Sequence, residues 1–372
     1  MMTHICDLPS EMLTMTDALD NIKNHIVAVE GDENIVLSQA LGRVLSQSIC
    51  SAINLPPHRN SAVDGYAFRS QDLHRGQVFS LTRVGTSWAG CPFKEELKAG
   101  ECVRILTGAV VPEAADSVIM QEFVMVSGNK IHFPSDCRPR LNVREIGEDI
   151  QQQAELLTAG KKLTATDLAL LAAAGIEQVR VKRRIKIGFF STGDELVPLG
   201  QPLTTGQIYD SNRYALIGLL TDPSFELLDK GIITDDKTLL QQTLIELAAE
   251  CDAIITTGSV SVGDADYIEE ILEQTGQIYF WKVAIKPGKP LIFGKIGHCF
   301  FFGLPGNPVA VITTFDKIVK LGLRQLSGCH QFSKPFRIKA VCNSVLKKSP
   351  GRQDYQRGLL YQQFDGTLVV ES

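Results

Sequence analysis

The chain has 372 residues, and its 37 Lys and Arg against 42 Asp and Glu give a formal net charge of −5 at pH 7. This length exceeds one ordinary domain and predicts two to four, each able to bury its own core. The mildly acidic balance argues against a nucleic-acid partner, because such proteins usually carry a basic field.

The nine cysteines are dispersed and form no Cys-x-x-Cys pair. Free thiols in a reducing cytosol explain this pattern better than a disulfide framework or a zinc site. No basic and apolar leader opens the chain, and no segment is apolar for long enough to cross a bilayer. The sequence therefore predicts a cytoplasmic protein that does not enter the membrane.

The first half of the chain alternates between helical and β-like patterns. Residues 16–29 predict an amphipathic helix with Thr16 as its N-cap, and residues 38–45 predict a second short helical patch. Short alternating runs from 67 to 133 predict a small β domain, as sandwich or barrel. An Ala/Leu-rich helix that Gly175 ends resembles the N-terminal helices again. We therefore expect a discontinuous helical and mixed N-terminal domain (1–54 and 142–182) with a β domain (55–141) inserted into it.

From residue 183 onward, strands and helices alternate. Strands are predicted at 185–193, 225–233 and 252–257, and helices at 210–220, 237–250, 267–274 and 307–326. This order predicts a doubly wound, mostly parallel α/β domain over 183–330. Short strands after 336 predict a small C-terminal β domain over 331–372. The fold class is thus multi-domain, α/β plus β.

Three turns are expected to meet at the carboxyl ends of the parallel strands, where such sheets bind ligands. They begin at Thr192-Gly193, at Gly258 and near Gly303. The second turn carries Ser261 and Gly263 and leads into a helix, a geometry that gathers backbone N–H groups around an anion. Ordinary turn chemistry in an α/β domain is the alternative.

Charged residues flank these turns. Asp194 and Glu195 follow the first, and Asp264 and Asp266 follow the second. Paired carboxylates suit Mg²⁺ held together with a substrate phosphate, although acids at helix N-termini also complement the helix dipole. Three lysines lie around Pro287-Gly288 and suit a tetrahedral oxyanion, with a protected edge strand as the alternative. These are Lys282, Lys286 and Lys289.

These motifs together resemble those of a known family. The stretches that carry the resemblance are 56–67, 104–108, 144–150, 191–196, 206–213, 261–267, 280–290 and 303–308. They resemble the MoeA-type molybdopterin molybdenumtransferases, which are related to the gephyrin E domain, and they cover almost the whole chain. The resemblance implies insertion of molybdenum from molybdate into adenylylated molybdopterin with Mg²⁺ and release of AMP. It also implies a homodimer whose cleft uses both subunits, with a molybdopterin adenylyltransferase as a candidate partner.

The resemblance also implies roles for individual residues. The acids and the threonine of the catalytic set fall on Asp64, Thr107, Asp149, Glu195, Asp235 and Asp266, with Arg144 beside them. The ligand-binding positions fall on Lys282, Lys286, Arg357, Pro305 and Pro308, in addition to Thr192, Gly193, Gly258, Ser261 and Gly263. The metal ligands expected are Glu195, Asp264 and Asp266.

Two departures from the family pattern bear on activity. Ser259 stands where the family usually has a second glycine, which restricts the loop backbone. The family's fourth domain usually runs some tens of residues beyond the position of Ser372, so the C-terminal domain is expected to be truncated. The alternative function is therefore a non-catalytic molybdopterin-binding or scaffold protein of the same family.

Overall fold

The computed structural model describes residues 12–74, 76–258, 267–330, 336–348 and 350–372. Within these residues the α-helices are α1 (Met15–His25), α2 (Ala165–Ala173), α3 (Ser211–Leu219), α4 (Lys237–Glu250), α5 (Tyr267–Thr275), α6 (Pro308–Thr314) and α7 (Lys320–Leu326). A wider π turn, Phe315–Val319, joins α6 to α7, and short 3₁₀ turns cover Leu37–Gln39, Ser70–Asp72 and Gln121–Phe123.

The strands of the first half are β1 (Asp32–Val36), β2 (Ile49–Cys50), β3 (Asn60–Ser61), β4 (Gly65–Phe68), β5 (Phe79–Ser87), β6 (Glu101–Ile105), β7 (Ser117–Met120), β8 (Met125–Ser127), β9 (Lys130–Phe133), β10 (Val143–Arg144), β11 (Glu155–Leu157) and β12 (Gln178–Lys182). Those of the second half are β13 (Ile185–Thr192), β14 (Leu196–Val197), β15 (Ile208–Tyr209), β16 (Phe225–Ile233), β17 (Ala253–Thr257), β18 (Gly276–Lys282), β19 (Ile285–Lys286), β20 (Pro290–Ile296), β21 (Cys299–Leu304), β22 (Val341–Cys342), β23 (Gln353–Asp354), β24 (Leu359–Gln362) and β25 (Leu368–Glu371).

The chain forms two compact units. Unit 1 comprises Met1–Gln47, Ala159–Ala165 and Gln178–Ser372, and unit 2 comprises Ser48–Thr158 and Thr166–Glu177. In unit 1, β1 of the N-terminal segment pairs antiparallel with β12. The four-domain division expected from the sequence remains a prediction.

A six-stranded sheet in the order β16-β13-β17-β21-β20-β18 forms the centre of unit 1. The first four strands are parallel, and only β20 runs against the others. Side chains alternate between its two faces. Ile255 packs with α1, α3, α6 and α7 on one face, while Ile254 packs with α4 and α5 on the other. Helices thus cover both faces, and the sheet is buried as parallel sheets are.

Unit 2 is built on a second six-stranded sheet, in the order β7-β4-β6-β5-β9-β8. Its pairings are antiparallel except for β5 with β6. Val103 faces one apolar cluster and Cys102 faces another, so both sides of this sheet are also buried. Outside the two units' main sheets, β24, β25 and β22 form a small C-terminal sheet.

Local capping chemistry explains where the helices begin. Asp210 accepts from the N–H of Arg213 at the start of α3, and Asp236 accepts from the N–H of Leu239 at the start of α4. Both helices were predicted with these boundaries to within a residue. Such caps satisfy N–H groups that have no partner inside the helix.

Two helix predictions in the N-terminal segment were wrong. The first helix is capped by Thr14 rather than Thr16, because the Thr14 hydroxyl accepts from the N–H of Asp17 and donates to its carboxylate. It ends at His25, since Ile26 is extended. The patch at 38–45 forms only one 3₁₀ turn, because Val44 and Leu45 bridge to other segments of unit 1.

Among the described residues, every cysteine is a free thiol, which confirms the expectation from spacing. None of the helices in the described ranges is long and apolar enough to cross a bilayer.

The central sheet makes a stability prediction. Phe302 on β21 is fully buried, its ring is tilted against that of Phe293 with centroids 5.2 Å apart, and it lies where α7 needs the small Gly322. Phe302→Ala is expected to lower the free energy of unfolding by about 3–5 kcal/mol, because the cavity cannot fully collapse. Phe364→Ala, at a fully exposed position, is the control and is expected to change it by less than about 0.5 kcal/mol. Equilibrium denaturation measures both, and equal effects would contradict the packing described.

Candidate functional site

The carboxyl ends of β13, β17 and β21 lie side by side, and we call Thr192, Thr257, Leu304 and the turns that follow them the strand-end rim. Ser191 is the register partner of Thr257, and Thr257 is that of Leu304. The three strands therefore end at one level, as the sequence predicted.

Gly258 is required where it stands on this rim. Its φ is +112°, and a Cβ there would lie 2.0 Å from the carbonyl oxygen of Thr192. Only glycine fits so close an approach of two backbones. The turn containing Gly306 approaches the same residue, since a Cβ on Gly306 would lie 3.7 Å from the Gly258 Cα. The rim thus has glycine backbone on two of its turns.

Asn212, near the start of α3, ties the rim together. Its Nδ2 donates to Thr257 Oγ1 at 2.9 Å and to the Gly306 carbonyl at 2.7 Å. Thr257 Oγ1 in turn donates to the Pro305 carbonyl at 3.1 Å. The side chain of Asn212 is 9% exposed, so these bonds are shielded from water. Sequence reasoning missed this residue, although the Asp210-Ser211-Asn212 cap motif places it at the strand ends.

Asp210 supports the same corner. Its Oδ1 accepts from Ser191 Oγ at 3.1 Å and from the N–H of Arg213 at 3.1 Å. Its Oδ2 is buried and has no hydrogen-bond partner in the part of the chain that the structure describes. The Oδ1 of Asn212 is in the same situation. Buried polar atoms of this kind are commonly satisfied by ordered water.

Carboxylates gather beside the turn after β13. Gly193 has φ +145°, and a Cβ on Gly193 would lie 2.5 Å from Glu195 Oε2. The N–H of Asp235 donates to Asp194 Oδ1 at 3.2 Å. Partial loss of hydration, followed by the negative charges of Asp194 and Glu195, raises the pKa of Asp235 above its ordinary value. Hard oxygen donors close together suit a Mg²⁺ ion.

The metal prediction is only partly covered by the described residues. Glu195 lies in the carboxylate group above, whereas Asp264 and Asp266 fall outside the described residues, as do Ser259, Ser261 and Gly263. Within the described ranges, no group of three or more His, Cys, Asp or Glu is placed to hold a metal ion. The predicted metal ligands therefore remain a prediction.

A cavity of about 840 Å³ brings two of the predicted cations together in unit 1. Lys286, Pro287 and Asn307 line it with Arg357 and Asp354. Lys286 Nζ lies 3.8 Å from Asp354 Oδ2. A lysine and an arginine on one cavity can bind an anion, although Asp354 and Glu371 also line it.

The turn beside this cavity is rigid. Asn307 caps α6 by accepting from the N–H groups of Val309 and Ala310, and Pro308 is the first residue of the helix. Pro fits there because no N–H is needed at that position. Pro305 is held through its carbonyl by Thr257.

Lys282 is not among the described residues that line the cavity, and its ammonium lies 4.6 Å from the ring centroid of Trp281.

Unit 2 holds the remaining predicted residues in two pairs. Asp64 Oδ1 accepts from the N–H and the hydroxyl of Thr107, both at 2.7 Å, and these bonds lower the pKa of Asp64. Arg144 donates to Glu148 Oε1 at 2.7 Å and also to Asp149. All of these side chains come from loops or from the end of a short strand, as functional residues often do. The structure thus pairs Asp64 with Thr107 and Arg144 with Asp149.

The hydrogen bonds from Asn212 to Thr257 and Gly306, which we call the clamp, can be tested by measuring stability. Asn212→Ala removes two buried hydrogen bonds and leaves the Gly306 carbonyl without its donor, so it is expected to lower the free energy of unfolding by about 1–3 kcal/mol. Asn24→Ala, on the exposed side of α1, is the control and is expected to change it by less than about 0.5 kcal/mol. Denaturant titration compares them, and a neutral Asn212 variant would contradict the clamp.

The carboxylate group makes a pH-dependent prediction. Because the folded-state pKa of Asp235 is raised, its contribution to stability is complete below the unfolded pKa of about 4 and is lost as the pH rises through the folded value. Asp235→Asn is therefore expected to raise the unfolding temperature slightly at neutral pH and to have no such effect below about pH 4. Calorimetry at both pH values tests this. Glu226→Gln, at an exposed acid that faces Lys186, is the control, and an equal gain there would show that the effect is not local.

Comparison with known proteins places the chain in a family. Residues 13–175 match a family described as "MoeA N-terminal region (domain I and II)", and residues 188–325 match one described as "Probable molybdopterin binding domain". The chain is 42% identical over 362 residues to the molybdopterin molybdenumtransferase of Haemophilus influenzae, covering 97% of this chain and 89% of that protein. It is 38% identical over 348 residues to the protein of the same name from a Nostoc species, covering 92% and 80%.

A solved structure extends the similarity to the fold. The crystal structure of the molybdopterin biosynthesis moeA protein from Pyrococcus horikoshii OT3 superposes with a TM-score of 0.81 at 30% sequence identity, covering 97% of this chain and 90% of that one. The mixed α/β fold predicted from the sequence is thereby confirmed. The chain belongs to the MoeA family of molybdopterin molybdenumtransferases.

Proposed function

We propose that this chain is a molybdopterin molybdenumtransferase of molybdenum cofactor biosynthesis. It would act in the cytoplasm as a homodimer, transfer molybdenum from molybdate to adenylylated molybdopterin with Mg²⁺, and release AMP. The observation that carries the proposal is the cavity that Lys286, Arg357 and Asn307 line together, in a member of this family.

The cavity supports molybdate as a substrate on electrostatic grounds. Molybdate is a tetrahedral dianion, and Lys286 and Arg357 would supply two cations to it, in competition with Asp354 for Lys286. Lys286 supplies a compact charge, whereas Arg357 supplies a planar fork of donors. Asn307 fixes the turn between them through its own capping bonds. The proposed role of these residues is to hold and orient the oxyanion.

The strand-end rim supports the phosphate-bearing substrate. The backbones of Thr192 and Gly258 approach each other closely, and the clamp from Asn212 ties the end of β17 to the turn after β21. Preorganised turns of this kind bind a ligand without first having to be ordered. We assign the adenylylated molybdopterin to this rim.

The carboxylates beside β13 fit Mg²⁺ by their chemistry. Glu195, the predicted ligand in this group, offers hard oxygen atoms, and burial, followed by the negative charges of Asp194 and Glu195, raises the pKa of Asp235, so a cation nearby would be favourable. When bound, Mg²⁺ would neutralise charge on the phosphates and make AMP a better leaving group. The protein's part is to hold these oxygens close together at the end of a buried strand.

The two pairs in unit 2 are proposed to complete the catalytic set. Asp64 is kept charged and oriented by its two bonds from Thr107. Arg144 is held by Glu148 and Asp149, which restrict a long and otherwise flexible side chain. A molybdopterin adenylyltransferase is the proposed source of the substrate, since the chemistry requires the pterin phosphate to arrive activated.

The proposal predicts molybdate-dependent release of AMP. Purified protein is incubated with adenylylated molybdopterin, Mg²⁺ and molybdate, and AMP is measured by chromatography. Lys286→Gln is expected to lower the rate by about 10–100-fold, because one charge-assisted hydrogen bond to the oxyanion is lost. Lys186→Gln, near the amino end of β13 and paired with Glu226, is the control and is expected to retain the full rate.

The outcome also separates the two candidate functions. If the folded protein binds molybdopterin but releases no AMP with molybdate, it is a non-catalytic molybdopterin-binding or scaffold protein. If Lys286→Gln and Lys186→Gln have the same rate as the unaltered protein, the cavity is not the molybdate site.

A further inference from the structure

The cavity with two cations is also lined by two acids, Glu371 and Asp354, and the backbone fixes the position of Asp354 beside Lys286. Strand β23 pairs in parallel with β19, with Asp354 as the register partner of Lys286. The N–H of Tyr355 donates to the Lys286 carbonyl at 2.8 Å, and that of Gln353 donates to the Ala284 carbonyl at 2.7 Å. Register partners on neighbouring strands extend to the same face. The acid is therefore held beside the lysine by main-chain geometry.

The two side chains of this ion pair differ in solvent exposure. The side chain of Asp354 is only 11% exposed, whereas that of Lys286 is 58% exposed. Gln356 Nε2 also donates to Asp354 Oδ2 at 3.3 Å. The carboxylate is thus the fixed member and the ammonium the adjustable one, at an N···O distance of 3.8 Å. An anion that enters can draw Lys286 away, but Asp354 stays on the cavity wall.

We propose that Asp354 is a specificity-determining residue that acts as the internal counter-ion of Lys286 and weakens binding of fully deprotonated oxyanions. This inference rests on the role given to Lys286 under the proposed function. An incoming oxyanion must compete with the carboxylate for Lys286 and then lie near its negative charge. Both effects oppose binding, and the partly buried position of the carboxylate limits screening by water.

The loss of binding affinity caused by Asp354 is expected to depend on whether the anion carries a proton. Molybdate and sulfate carry no proton at neutral pH, so they can only be repelled by the carboxylate. Inorganic phosphate keeps at least one proton and can donate it in a hydrogen bond to Asp354. The cavity is therefore expected to penalise molybdate and sulfate more than phosphate. Molybdate would be held loosely until other parts of the site contribute to binding.

Anion titration tests this inference without the pterin substrate. Calorimetric binding of sodium molybdate, sulfate and phosphate is compared at neutral pH for the unaltered protein, Asp354→Asn and Asp354→Ser. Both variants are expected to bind molybdate and sulfate about tenfold more tightly and to gain less for phosphate. Asp365→Asn is the control, because this exposed acid lies in the turn between β24 and β25 and does not line the cavity. It is expected to leave all three affinities unchanged.

The outcomes distinguish this inference from the proposed function. If Lys286→Gln weakens molybdate binding while neither Asp354 variant strengthens it, the counter-ion role is overturned and the molybdate site stands. If Lys286→Gln has no effect, the molybdate site itself is wrong, and the inference falls with it. An equal gain for phosphate and molybdate would overturn the discrimination. Thermal unfolding identifies any variant that does not fold, and the second substitution then decides.

Discussion

The register of three parallel strands is the constraint on which the proposed ligand site in unit 1 depends. Because β13, β17 and β21 end at one level, their turns are brought together although they are far apart in the chain. A shift of one residue would send every side chain of a strand to the opposite face. The amide of Asn212 reinforces this register by bonding two of the strand ends at once. Both faces of the sheet are buried, so the register is also fixed by packing.

This scaffold separates charge of opposite sign within unit 1. Carboxylates lie after β13, where Asp235 is already crowded by like charge. Lys286 and Arg357 line the cavity beside β19, where Lys286 is paired with Asp354. Under the proposed function, a metal ion with phosphates would lie near the carboxylates after β13, and an oxyanion would compete with Asp354 for Lys286.

Local signals predicted much of this arrangement, but contacts between distant residues did not follow from them. The caps at Asp210 and Asp236 could be predicted because the bonds span three residues. The Asn212 clamp could not be predicted, because its partner Gly306 is 94 residues away in the chain. Nothing in the local sequence of Asn212 or Gly306 indicates that they are bonded to each other. Asp354 was missed for the same reason, because only strand pairing places it beside Lys286. The first helix was placed two residues late because two threonines offered caps and only the bonds to Asp17 decide between them.

Asp64 and Asp354 are proposed to have different roles because their carboxylates have different partners. Asp64 receives two hydrogen bonds from Thr107, which hold its carboxylate in place as an acceptor. Asp354 instead faces Lys286, the cation to which the proposed function gives the oxyanion. Hydrogen bonds donated to a carboxylate, as at Asp64, stabilise its charged form. A carboxylate paired with a cation, as Asp354 is, must be displaced before an incoming anion can bind that cation. Binding at such a site is then governed by competition for Lys286 as much as by attraction to it.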